Sequence, residues 1–195
     1  MHPKADIQKI PRKLLPTNYT VTDWDALEPF FKELNERTIT SKAELENWLI
    51  DLSELEAVVS EDACWRQIKM TCDTTDKSLE EAFTYFCMEI QPKLQQYADA
   101  LNKKLVNCSF TAELDQAAYH TYLRSVKKSI ELFREENIPI IAELSVLQQQ
   151  YGTIAGKMTV EVEGKEYTLQ QAAKFLESSD RKIREAVYYK IQERR

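Results

Sequence analysis

Between residues 22 and 156 apolar side chains recur every three or four positions, the spacing that gathers one face of an α-helix. Thr22 or Asp23 caps a first helix through Trp24, Leu27, Phe30, Phe31 and Leu34, and Pro29 falls near its first turn, where a missing N–H costs little. S-K-A-E, Ser41 to Glu44, has the form of a capping box: the serine hydroxyl accepts from the N3 amide, and the glutamate reaches back to the serine amide. The helix it opens carries Leu45, Trp48, Leu49, Leu52, Leu55 and Val59. The pattern resumes after Ser60 through Cys64, Trp65, Ile68 and Cys72, until T-C-D-T-T-D ends it with side chains that compete for backbone hydrogen bonds. The longest run, Leu79 to Leu105, contains Pro92, which predicts a kink or break near Ile90. A fourth element spans about Leu114 to Phe133, with Tyr119, Leu123, Val126 and Ile130 on one face. Pro139 pre-sets a fifth, with Ile141, Leu144, Leu147, Tyr151 and Ile154. Five long amphipathic helices cannot each stay solvated, so they predict a bundle or an array of antiparallel pairs.

After Gly156 the period changes to two. Met158, Val160 and Val162 share one face of M-T-V-E-V-E-G-K-E-Y-T-L, and Glu163-Gly164 stands where a tight turn requires positive φ. Thr168 with Gln171 forms a second capping box, and Ser178, Ser179 or Asp180 starts a last helix through Ile183, Val187 and Ile191. The expected fold is all-α, an antiparallel array of about seven helices with one small β-hairpin near residues 158–168. It forms one helical domain over 1–195: an extended lead-in (1–20), long helices (22–156), then the hairpin and two helices (157–195). No Gly or Pro closes the last helix, which leads us to expect an N-terminal piece of a longer protein with further structure after it.

Charge and cysteine usage narrow the class. The 32 acidic and 26 basic residues give a net charge of −6 with both signs interleaved, which disfavours nucleic acid. The densest basic group, Arg124, Lys127 and Lys128, is followed by Glu131 and reads as a solvated helix face. No apolar run approaches the about 20 residues of a membrane span, and the N-terminus lacks the apolar core of a secretory signal. Cys64, Cys72, Cys87 and Cys108 show neither C-x-x-C nor zinc-knuckle spacing; with Ile68, Cys64 and Cys72 would share an apolar stripe as buried free thiols. All of this suits the cytoplasm.

Candidate chemistry is sparse. His2 lies in the lead-in and His120 between Tyr119 and Tyr122, and neither has a second histidine at i+4; H-E-x-x-H, G-x-S-x-G, P-loop and dinucleotide-binding motifs are all absent. Glu80 with Glu81, and Glu135 with Glu136, diverge by about 100° on a helix and cannot converge on one atom. Trp24, Trp48 and Trp65 fall on apolar stripes as core anchors. We therefore assign no catalytic, cofactor-binding or metal-binding residue. The chain alone is expected to bind no stoichiometric zinc and to hydrolyse no peptide.

Four stretches, K-I-P-R-K-L-L-P followed by T-D-W-D-A-L-E-P-F-F-K-E-L, then S-E-L-E-A-V-V-S-E-D and R-S-V-K-K-S-I-E-L-F-R-E-E-N-I-P, resemble the N-terminal region of zinc oligopeptidases of the oligoendopeptidase F type, in the thimet oligopeptidase superfamily. Tyr167 to Tyr188 is similar to the segment that leads into their catalytic part. The resemblance implies a parent metalloendopeptidase that cleaves short unstructured peptides inside the cell, using a zinc-bound water polarised by the glutamate of a downstream H-E-x-x-H. This lobe would form one wall of the channel, with its own catalytic domain as partner. An apolar stripe of Ile183, Val187 and Ile191, left uncovered in the isolated piece, would favour a homodimer. The competing expectation is a free-standing helical interaction module without catalysis.

Overall fold

The structure is a computed structural model that describes residues 11–74 and 76–194; His2, Pro3, Lys4 and Lys9 lie outside the described residues. Helix α1 is Trp24–Glu36, capped by the Asp23 carboxylate, which accepts from the Ala26 amide at 2.9 Å. Helix α2, Lys42–Cys72, runs unbroken for 31 residues. Helices α3 (Lys77–Tyr85) and α4 (Gln91–Asn107) form one run interrupted by a π-helical turn at Phe86–Ile90, so the irregularity announced by Pro92 sits in the turn just before it. Then follow α5 (Gln116–Leu132) and α6 (Asn137–Gly156). Strands β1 (Thr159–Val162) and β2 (Lys165–Thr168) pair antiparallel, with Val160 opposite Tyr167. Helix α7 (Leu169–Ala173), extended by a 3₁₀ turn at Lys174–Glu177, and α8 (Arg181–Arg194) complete a mainly helical fold.

The buried side chains fall into two groups. The larger joins the lead-in, α1, the first half of α2, the π-turn, α4 and α5 around Leu27, Leu34, Leu45, Trp48, Leu55, Ile90 and Leu101. Trp48 is wholly buried, and its indole N–H donates to the Leu34 carbonyl at 2.8 Å, which satisfies the polar edge of a ring otherwise surrounded by hydrocarbon. Lys104 of α4 donates to the carbonyls of Leu34, Asn35 and Arg37 at 2.6–2.8 Å, so a cation from a distant helix caps the C-terminal end of α1. The described part of the lead-in is tied down rather than simply extended: the Glu54 carboxylate accepts from the amides of Lys13, Leu14 and Leu15 at 2.6–3.1 Å, and Leu15 and Val21 are buried.

The smaller group comprises Val160, Val162, Leu169, Ala172, Val187 and Ile191. Positive φ at Glu163 (53°) and Gly164 (77°) closes the hairpin as a tight turn, and the capping box of Thr168 and Gln171 forms with both reciprocal bonds.

Four expectations change. Trp65, Ile68, Cys64 and Cys72 are exposed, because α2 outruns the core and α3 covers only one side of its second half; of the four thiols only Cys87 is buried. The Glu44 carboxylate passes Ser41 and takes the amide and hydroxyl of Thr40, at 2.6 and 2.7 Å, while Ser41 caps the Glu44 amide as expected. The stripe of α8 is not left open: Val187 and Ile191 pack into the hairpin and α7, which removes the basis for pairing through them. Finally, α6 turns its apolar side outward. Leu144, Leu147, Tyr151 and Ile154 are exposed, whereas Ile138, Ala142 and Gln149 are buried against the π-turn and α4.

Candidate functional site

A concavity of about 850 Å³ lies where the second half of α2, the α3–π-turn–α4 run and α6 diverge, with Gln170 of α7 at its border. Its apolar floor includes Val59, Met70, Phe83, Phe86 and Leu94. Its rim carries Gln67, Gln91, Gln148, Gln149 and Gln170, with hydroxyls from Ser60, Thr71, Ser145 and Thr153, and no charged side chain lines it. Gln149 is buried; its amide N–H donates to Glu80 at 3.1 Å, and its backbone carbonyl accepts from the Thr153 hydroxyl at 3.2 Å. The walls are fixed by Arg66, whose guanidinium pairs with Asp62 at 2.6 Å and donates to the carbonyls of Ala82 (3.1 Å) and Val21 (2.8 Å), locking α2 to α3 and to the lead-in.

Such a groove offers amide donors and acceptors over a hydrocarbon floor. It can match the repeating N–H and C=O groups of an extended chain without selecting a charge. It supplies no activated nucleophile: burial pushes the Cys87 thiol up from its ordinary value, away from the reactive thiolate. The sequence motifs do not announce this groove, since its glutamines interleave with apolar positions on α2, α4, α6 and α7. The one available signal is Gln149 and Thr153 on the side of α6 opposite its apolar stripe.

His120 is exposed on α5, beside Arg124, Lys127 and Lys128 around a shallow hollow that Cys108 also lines, and Lys128 pairs with Glu131 at 2.6 Å. Among the described residues no three His, Cys, Asp or Glu side chains gather where they could hold a metal ion. No helix among them is long and apolar enough to cross a membrane.

Residues 15–133, more than half of the chain, match the model of the peptidase M3 N-terminal domain. No curated protein matches by sequence. Among solved structures, a protein assigned as oligoendopeptidase F is similar to 94% of this chain at 22% identity and TM-score 0.80, a second so assigned from Bacillus anthracis to 94% at 18% and 0.78, and PZ peptidase A, solved with an inhibitor, to 93% at 18% and 0.79. This chain spans only 33–34% of their lengths. The fold is thus shared across nearly all of these residues, and by the match over residues 15–133 the chain belongs to the peptidase M3 N-terminal domain family.

Proposed function

We propose that this chain is the N-terminal lobe of a longer cytoplasmic zinc endopeptidase of the oligoendopeptidase F type, and that it forms one wall of a channel admitting short unstructured peptides. The observation that carries the reading is the ratio of coverages: 94% of this chain superposes on structures of which it makes up 33%. The donor set supports a division of labour. The described residues here do not fit a zinc site, so the metal and its ligands would belong to the rest of the parent, and no chemical step is assigned to this lobe. Its contribution would be shape and non-selective contact, for which the uncharged glutamine-rimmed groove is suited.

The test uses the parent polypeptide. Its hydrolysis of short peptides should fall to background with excess chelator and return with zinc, folded proteins should resist it, and the 195-residue chain alone should be inactive. Hydrolysis undiminished by chelator would overturn the metal reading. A coding sequence that stops at Arg195 would instead favour the free-standing module.

A further inference from the structure

Helix α6 is built the wrong way round for a helix that packs only on what this chain provides. Its inward side is small or polar: Ala142, Ser145, Gln149, Thr153 and Gly156, with Ile138 at its start. Its outward side carries Ile140, Leu144, Leu147, Tyr151 and Ile154, exposed by 59, 50, 53, 74 and 62%. Over its 20 residues the single charge is Glu143. A solvated helix face is normally charged, and isolated exposed apolar residues need no explanation, but a contiguous row of five does.

The row is also regular. Its members are spaced four, three, four and three residues apart, a 3.5-residue average that keeps a seam on one side of a helix as it runs along a second helix. The 14 steps from Ile140 to Ile154 make a seam about 21 Å long at 1.5 Å per residue, enough for nearly four turns of a partner helix. The five members of the row are uncharged, and the one charge of the helix, Glu143, stands at its edge between Ile140 and Leu147.

We propose that this face of α6 seats a helix from the part of the parent polypeptide that follows this chain, an inference that rests on the N-terminal-lobe reading above. Two observations point to that occupant. The superposed structures are about three times as long as this chain, so a large body of further structure is available to cover the face. The hairpin, α7 and α8, which follow α6 directly, pack into their own core, and Leu144, Leu147, Tyr151 and Ile154 stay at least half exposed beside them.

Hydrogen exchange read peptide by peptide tests this on the 195-residue chain and on the full parent polypeptide. Amides of residues 140–154 should exchange at least tenfold more slowly in the parent, independently of protein concentration and without added substrate. In the parent, Leu144→Lys with Leu147→Lys should abolish that extra protection, while the same pair in the 195-residue chain leaves its exchange pattern unchanged elsewhere. Equal exchange in the two proteins would overturn the proposal. So would protection of the short chain that rises with concentration alongside a dimer mass, which assigns the face to a second copy, or protection of the parent only on adding an unstructured peptide, which assigns it to substrate. An active, chelator-sensitive parent with an unprotected α6 would defeat this inference alone. A product ending at Arg195 would defeat both readings.

Discussion

Glu44 holds the amide and hydroxyl of Thr40 on one carboxylate oxygen, and these bonds lower its pKa below the ordinary 4.5. A carboxylate depressed in the folded state adds stability that is complete above the unfolded value and disappears as pH falls through the folded one. Glu44→Gln retains an acceptor but cannot titrate. Its stability deficit against the parent sequence, measured by urea unfolding at a series of pH values, should therefore be present at neutral pH and shrink below pH 4.5. A deficit constant with pH would contradict the role given to the charge. The tryptophans mark the limit of periodic reading at this scale. Trp48 and Trp65 both belong to the apolar pattern of α2, yet one is wholly buried and the other 52% exposed, because the second half of the helix is covered only on the side where α3 packs. Trp48→Ala should cost about 3–5 kcal/mol, and Trp65→Ser no more than about 0.5 kcal/mol, in the same denaturation assay.

Local signals placed most elements: the caps at Asp23, Ser41 and Thr168, the disturbance before Pro92, and the turn at Glu163-Gly164 all stand where residue chemistry puts them. What such signals omit are interactions closed by distant residues. The C-terminal end of α1 has no glycine cap; it is finished by Lys104, 67–70 positions on. Lys104→Ala strips a charged donor from three carbonyls and should destabilise the chain by about 1.5–3 kcal/mol, with amides in the last turn of α1 losing exchange protection first. The period of α6 was equally legible but its direction was not, since apolar spacing says which residues share a side and never which side has company. At the hairpin, Glu163 adopts φ 53°, a left-handed conformation in which its Cβ is crowded by the following carbonyl. Glu163→Asn, which tolerates this region, should raise stability by up to about 1 kcal/mol.

On the scale of the molecule, the mainly helical class with one hairpin follows from where the period changes, but the partition of the interior does not. Among the described residues, twenty buried side chains in one cluster and six in the other predict unequal resistance to opening, since apolar burial is the main stabilising term. In native-state exchange, the amides of Val187 and Ile191 should open at lower free energy than those of Trp48 and Leu52, with a distinct dependence on denaturant. Identical opening free energies for both sets would mean that the two cores unfold as one. The groove was the least legible feature, because its glutamines come from separate helices and converge only once those helices have packed.

The two outward thiols of α2 have a practical meaning for anyone handling the isolated chain. Cys64 and Cys72 are eight residues apart on one continuous helix, about 12 Å along its axis at 1.5 Å per residue. A disulfide requires α-carbons within about 7 Å, so air oxidation cannot join them to each other while α2 is intact. Bonds among these two exposed thiols can therefore form only between neighbouring molecules, and because each molecule carries two of them, the products are ladders rather than pairs. Bands at multiples of the monomer mass on a non-reducing gel, collapsing with dithiothreitol, would therefore report storage conditions and say nothing about native assembly.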